Sequence, residues 1–518
     1  MSQNLVAVIS LGSRMVNALV GRLEPDGALN VVAAEREPSH DFIRRGKIYN
    51  PDKMATCIKN LVSRLENRLD KKIAQMYVGI GGMGLHSVKN TITQKYDENT
   101  KITQEIVDSI METNRSHEIQ CYRILDVIPP EYHMGTMMQL EPVGVMTQQI
   151  EGHFLNLVIP PTADTMIDTS FKTAGMTIAD TLKVNVLPLA DMVLTDSEKR
   201  SGCVLIDMGA ETTTVAVYNG GKMRFLSVIP LGGQSVTNDL ATILRIPETE
   251  AEGLKRQYGM AYIDPKEERE TDNETIHLSG GNTETRCNIE YMIEDRVSEI
   301  LQNVNKQIEL AQETDDLKEL LGGIIVTGGC AKMANMTEAL VHYTKINKVR
   351  VVTVPPVTIR CDASFDFVKD GRANSALALL TVCQEDCCTE KSDEGNDIFS
   401  RGEQQKQEEE ARKQASANVK NMVERINCYF EDFEEFCKNR EKDDAQSILE
   451  KIKGLHMEIQ AQVKDLFEDD DARVLAVETA DAIEEAEKKL ENLNTKPAGG
   501  WFSKLIEKVM NMFNDLDD

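Results

Sequence analysis

Two stretches of the chain repeat one pattern of apolar and polar positions. Residues 7–35 read AVISLGSRMVNALVGRLEPDGALNVVAAE, and residues 203–230 read CVLIDMGAETTTVAVYNGGKMRFLSVIP. Each runs an apolar strand, a glycine-centred turn, a second strand, another glycine turn and a third strand. Gly12 aligns with Gly209, and hairpin turns are expected at Asp26-Gly27 and Asn219-Gly220. A motif that recurs once, far along the chain, predicts two related lobes rather than a solenoid. The competing explanation is the general likeness of any two three-stranded meanders.

Other segments extend the pattern. Residues 324–333, IIVTGGCAKM, predict a strand, a Gly-Gly turn and a helix start, and residues 231–244, LGGQSVTNDLATIL, repeat that design. Residues 251–259 predict a helix with Glu252 and Lys255 on one face, at i and i+3. Past Cys388 the chain turns polar and charged, an acidic linker over 389–417. Residues 418–493 hold no proline and carry apolar stripes such as Val423, Ile426, Phe430 and Leu449, Ile452, Leu455. They predict a helical extension, either a small antiparallel unit or a partner-binding coil. Residues 494–500, NTKPAGG, form a flexible break.

The segment after that break is fully amphipathic. At about 100° per residue, Trp501, Phe502, Leu505, Ile506, Val509, Met510 and Phe513 fall on one half of a helix over 501–516. Ser503, Lys504, Glu507, Lys508, Asn511 and Asn514 fall on the other. The pattern predicts a helix lying in a phospholipid surface; docking on its own protein is the alternative. No window approaches 18 apolar residues, the length that marks a spanning helix. Gly12, Ser13, Arg14 and Asn17 interrupt the first apolar stretch, so no signal peptide is expected there.

Composition narrows the functions. The net charge of −27 excludes nucleic acid as an expected partner, because phosphate binding needs a cationic face. Roughly half of that charge falls after Asp386. The 11 cysteines are scattered, and the cluster Cys383, Cys387, Cys388 fits no zinc spacing, so free thiols are expected.

Turn chemistry suggests a ligand. A tight strand–Gly–strand turn presents backbone N–H groups, and small hydroxyls follow it: Ser13 in one repeat, Thr212 and Thr213 in the other. Two such turns facing each other would hold the phosphates of one nucleotide. Asp207, at a strand end, would hold Mg²⁺ through water. Gly328 and Gly329 would let a flat base or ribose approach the backbone.

Taken together, ISLGSRMVNALVG, IPPEYHMG, the segment 188–221, PLGGQSVTNDLA, AEGLKRQYG, IEDRVSEI, IVTGGCAKM and RANSALALL resemble the FtsA family of bacterial cell-division proteins, within the actin/sugar-kinase/DnaK superfamily. The resemblance covers roughly residues 6–382. It implies an α/β, two-lobed, actin-like fold with ATP and Mg²⁺ in the cleft, against Gly12, Ser13, Arg14, Asp207, Gly209, Thr212, Thr213, Gly232, Gly233, Glu252, Lys255, Gly328 and Gly329. It implies a first lobe over 1–81 and 162–199, with an FtsA-type inserted subdomain over 82–161. The second lobe would take 200–232 and 322–388, with a small subdomain over 233–321.

The resemblance also implies self-assembly into filaments, contact of other division proteins with the inserted subdomain, and binding of the C-terminal peptide of the tubulin-like protein FtsZ. Arg296 in IEDRVSEI is the basic residue expected to meet that peptide, its alternative being an ordinary surface-helix arginine. The implied place is the inner face of the cytoplasmic membrane at the division site. The chain departs from the superfamily at Ser10, where a carboxylate is usual, at Glu211 for a glycine, at Thr214 for an aspartate and at Ala378 for a glycine. One metal-facing carboxylate is missing and an extra anion stands beside the phosphates, so slow or absent hydrolysis is expected. An active kinase or ATPase chaperone of the same superfamily is the alternative function.

Overall fold

A computed structural model describes residues 4–117, 119, 121–264, 274–315 and 319–390, and then 426, 429, 433, 447–454, 456, 483 and 486. The chain divides into two units, Met1–Lys391 and Ser392–Asp518.

The first unit opens with strands β1 (Val6–Leu11), β2 (Met15–Leu23) and β3 (Leu29–Pro38). Glu24 to Gly27 close the second turn, with Gly27 at φ +81° and its N–H donating to the Glu24 carbonyl at 2.9 Å. Proline presets the turn's second position and glycine takes the left-handed one, as a bulged hairpin loop requires. Helix α1 (Pro51–Leu69) starts on an Asn50 cap that accepts from the Lys53 N–H. It buries Met54, Ile58, Leu61 and Leu65, an i, i+4, i+7, i+11 face, against the sheet. Strand β4 (Gln75–Ile80) then pairs parallel with β1.

An antiparallel sheet follows: β5 (His86–Lys101), helix α2 (Gln104–Arg115), β6 (Arg123–Met134), β7 (Met137–Gln139) and β8 (Met146–Ile159). Its strand order is β7-β6-β8-β5. A small core of Ile102, Ile110, Tyr132, Ile150 and Phe154 sits under α2. The side-chain amides of Asn114 and Asn156 exchange hydrogen bonds there at 2.7 and 3.0 Å, which satisfies two buried polar groups reciprocally. The sheet leans on the second lobe. The Arg224 guanidinium grips Glu131 with two bonds at 2.7 and 2.9 Å, and Lys222 donates to the carbonyls of Pro129 and Pro130.

The chain returns through α3 (Pro161–Ala174), β9 (Thr177–Ile178) and α4 (Val186–Val193). The second lobe begins with β10 (Cys203–Met208), β11 (Thr213–Asn219) and β12 (Lys222–Ile229). Helices α5 (Gly233–Leu244), α6 (Glu248–Tyr258) and α7 (Arg286–Asp315) follow. The lobe closes with β13 (Gly323–Thr327), α8 (Met336–Thr344) and β14 (Val349–Val351), and α9 (Asn374–Val382) comes after it.

The two sheets share one order. Five strands of the first read β9-β4-β1-β2-β3 and the second reads β14-β13-β10-β11-β12; the first is extended by Ile359–Cys361 beside β3 and Lys183–Val184 beside β4. Ser10 faces Asn17 in one hairpin as Asp207 faces Thr214 in the other. Both outer hairpins also bulge at matching positions, between Val20 and Gly21 and between Val217 and Tyr218. Related lobes explain this; chance likeness of meanders does not. One expected detail differs: the two-residue loop of the second repeat is Gly220-Gly221, because Asn219 still pairs with Lys222. Both glycines have positive φ, +61° and +84°, as this hairpin turn demands.

Strand β10 is buried on both faces. Cys203 and Leu205 join the first-lobe core, while Val204, Ile206 and Met208 join the second. Alternation along one strand therefore ties the lobes together. Helix α9 follows the second-lobe strands yet packs on β1, β2 and α4. In α7, Ile289, Ile293, Val297, Ile300, Val304, Ile308 and Ala311 form one buried seam.

Of the second unit, every described residue is helical. Ile448, Leu449, Ile452 and His456 are buried on one face, as are Ile426 and Phe433. The acidic linker over 389–417 starts inside a strand: Cys388–Glu390 pairs with residues 71–73, and the rest of it lies outside the described residues. The flexible break and the amphipathic helix over 501–516 lie outside them too.

Candidate functional site

Three glycine turns converge where the lobes face each other. In the first, the Gly12 carbonyl accepts from the Ser39 hydroxyl at 2.6 Å, and the buried Ser13 hydroxyl accepts from the Gly46 N–H at 2.8 Å. In the second, the Gly209 N–H donates to the Thr212 carbonyl at 2.8 Å and the Thr213 hydroxyl to the Leu231 carbonyl at 2.9 Å. The start of α5 lies on that turn, with the Gly233 N–H donating to the Gly209 carbonyl at 3.0 Å. A Cβ on Gly232 would stand 2.6 Å from the same carbonyl, so the close approach requires glycine.

The third turn is tighter still. Gly328 has φ +97°, and a Cβ there would stand 2.4 Å from the Met208 carbonyl and 2.6 Å from Asp207 Oδ1. Gly329 follows, then a single 3₁₀ turn, Cys330–Lys332. The expected helix begins only at Met336, because Asn335 at φ +59° breaks the run.

Charged side chains bridge these turns. Lys255 donates to Glu252 at 2.6 Å, to the Thr237 hydroxyl at 2.8 Å and to the Gly233 carbonyl at 2.9 Å. Burial alone would raise the Glu252 carboxyl, but Lys255, Thr237 and Arg14 hold it down to about 2. Arg14 crosses from the first lobe, 3.3 Å from Glu252 and 3.2 Å from Gln234 Oε1. Glu211 crosses the other way and accepts from the Arg45 N–H. Arg14 and Glu211 occupy equivalent places in the two repeats, two residues past Gly12 and Gly209. The lobes therefore exchange one cationic and one anionic side chain.

Asp207 carries the second electrostatic feature. Burial pushes its carboxyl up to about 6, a cost that a nearby cation relieves. Its repeat partner Ser10 is buried and accepts instead from the Asn185 amide at 3.2 Å. Across the fold Asn374 donates to Thr327, the residue paired with Asp207, at 3.3 Å. The side-chain carbonyls of Asn185 and Asn374 are buried without a partner among the described residues, and buried acceptors seldom stay so.

The structure thus brings together Gly12, Ser13, Arg14, Asp207, Gly209, Thr212, Thr213, Gly232, Gly233, Glu252, Lys255, Gly328 and Gly329. Arg296 lies elsewhere, on the seam between α7 and α5, bonded to Asp239 at 2.5 Å and to Glu299. Trp501, Phe502, Leu505, Ile506, Val509, Met510 and Phe513 lie outside the described residues. Sequence reasoning did not find Asn185, Asn374, Gln234, Thr237 or the Arg45-Gly46 turn. Only Gly46 carried a signal, as a glycine after two arginines; the others act through contacts more than 15 residues away in sequence or through the cleft itself.

Two repeat lobes built on one sheet order, with helix α9 packed across from one to the other and Arg14 and Glu211 reaching between them, define an actin-like fold. A solved structure described as the PilM-PilN type IV pilus biogenesis complex has this fold, at TM-score 0.50 and 16% identity over 73% of this chain and 98% of that one. The family model for cell division protein FtsA matches residues 204–377. Cell division protein FtsA of Neisseria meningitidis serogroup B (strain ATCC BAA-335 / MC58) is 30% identical over 386 residues, 73% of this chain and 90% of that protein. Its counterpart in Bacillus subtilis (strain 168) is 28% identical over 363 residues, 69% of this chain and 81% of that protein. The chain belongs to the FtsA family of cell-division proteins.

Proposed function

We propose that this protein binds ATP with Mg²⁺ between its lobes and tethers the FtsZ ring to the cytoplasmic membrane. The observation that carries the nucleotide reading is the meeting of the two repeat turns across one cleft, with Arg14 reaching Glu252 at 3.3 Å. Backbone N–H groups of the turns, with the Ser13 and Thr212 hydroxyls, suit phosphate oxygens, whereas the buried Thr213 hydroxyl is held by the Leu231 carbonyl. The Asp207 carboxylate, raised by burial, suits a hydrated Mg²⁺, whose charge would offset that of the phosphates. A Cβ on Gly329 would meet nothing within 4 Å, which leaves that backbone open to a base and ribose, while Gly328 is closed against Met208 and Asp207.

Turnover is slow on this reading, because Ser10 offers no second carboxylate. Fixing metal and water while charge moves is more demanding than binding. An amphipathic segment over 501–516 supports peripheral attachment on the inner membrane face at the division site. One such helix binds reversibly; a filament of copies presents many, and avidity makes attachment firm. The small subdomain, with Arg296, is the proposed seat of the FtsZ C-terminal peptide, and the inserted subdomain that of other division proteins. Residues 1–81 and 162–199, 82–161, 200–232 and 322–388, and 233–321 are the proposed subdomains. Calorimetry of ATP with Mg²⁺, beside phosphate release on the same preparation, tests the cleft. Binding with turnover far below the roughly 1–10³ s⁻¹ of typical enzymes is expected; brisk release would restore the enzyme reading.

A further inference from the structure

We propose that the Glu211 carboxylate fills the seat of a terminal phosphate, so that the cleft prefers a nucleoside diphosphate to the triphosphate. This rests on the nucleotide reading above and narrows its ligand. Arg45 and Gly46 both have left-handed φ, +51° and +74°, in a two-residue turn between Ile43–Arg44 and Lys47–Ile48. Their successive N–H groups meet the two glycine turns: that of Arg45 donates to Glu211 of the second lobe, and that of Gly46 to the Ser13 hydroxyl of the first at 2.8 Å. N–H groups turned to one side in this way form a seat for an anion. Here a side chain of the opposite lobe supplies that anion.

The seat lies at the end of the phosphate path. On the nucleotide reading the base lies on the side of the open Gly329. A phosphate chain running from there between the turns ends where their tips meet, at Ser13 and Glu211. A diphosphate stops short of the Arg45 N–H and leaves the Glu211 contact intact. A triphosphate must either displace Glu211 or lie beside it, carboxylate against phosphate, at a distance where like charges repel. Arg14, the repeat equivalent of Glu211, is engaged with Glu252 at 3.3 Å and with Gln234. The Glu211 side chain lies toward the solvent edge of the turn, so replacing it leaves the core intact.

The test is calorimetric titration of the full chain with ADP and with ATP at fixed free Mg²⁺, for the unmodified protein, Glu211→Gln and Glu211→Gly. The unmodified protein should bind ADP about tenfold more tightly than ATP, a gap of about 1.4 kcal/mol. Glu211→Gly should tighten ATP about tenfold and change ADP less than threefold, with Glu211→Gln between. Equal affinity for the two nucleotides in the unmodified protein, or a Glu211→Gly change that moves both alike, overturns the proposal while sparing the nucleotide reading. Binding of neither nucleotide by any of the three proteins overturns both.

Discussion

At position 10 the first lobe carries a hydroxyl where the second lobe, at 207, carries a carboxyl. The buried Ser10 hydroxyl already meets the Asn185 amide at 3.2 Å, so an aspartate there would find a donor. Ser10→Asp is expected to sharpen the Mg²⁺ dependence of ATP binding, and Asp207→Ala to remove it; calorimetry with and without the metal reads both. Glu252 gives a pH prediction. Its carboxyl sits at about 2 in the fold against an ordinary 4.5. A depressed carboxyl stabilises the fold fully above its unfolded value and loses that contribution as pH falls toward the folded one. The stability lost in Glu252→Gln, measured by urea unfolding, should therefore be constant above pH 4.5 and shrink as pH falls toward about 2.

Among the elements, the turn at Gly328 and the clamp at Arg224 stand out. Gly328→Ala would force a Cβ to within 2.4 Å of the Met208 carbonyl at φ +97°. Strain of about 1–3 kcal/mol is expected, read as a lower melting temperature with loss of nucleotide affinity. Arg224→Ala would leave the Glu131 carboxylate without its two-pronged partner, at a cost of about 2 kcal/mol. The hairpins, the repeat and the glycine turns were legible in the sequence because apolar alternation and turn residues are local signals. The docking of β6 on β12, and of α9 on the first lobe, leaves no such trace. Neither does the crossing of Arg14 and Glu211, since a charged residue in a turn reads the same whether it meets solvent or the opposite lobe. The expected helix after Gly329 failed for a local reason, the left-handed Asn335.

At the scale of the whole molecule, the proposed nucleotide site lies within Met1–Lys391 and the proposed membrane attachment beyond it. Arg296 is bonded to Asp239 and Glu299, so a peptide carboxylate would have to compete with two acidic neighbours. Arg296→Glu is expected to weaken FtsZ-peptide binding at least about tenfold without moving nucleotide affinity, read by fluorescence polarisation. The fold and cleft of the first unit were more legible than the tail's role, because amphipathicity identifies an apolar face without naming what covers it. Liposome co-sedimentation settles that point: the full chain and a variant lacking residues 500–518 are each spun with phospholipid vesicles and ATP. The full chain should pellet, with little loss in added salt because the polar face is nearly neutral, and the truncated protein should stay in solution while still binding nucleotide. Equal pelleting of the two would contradict the membrane-tether reading.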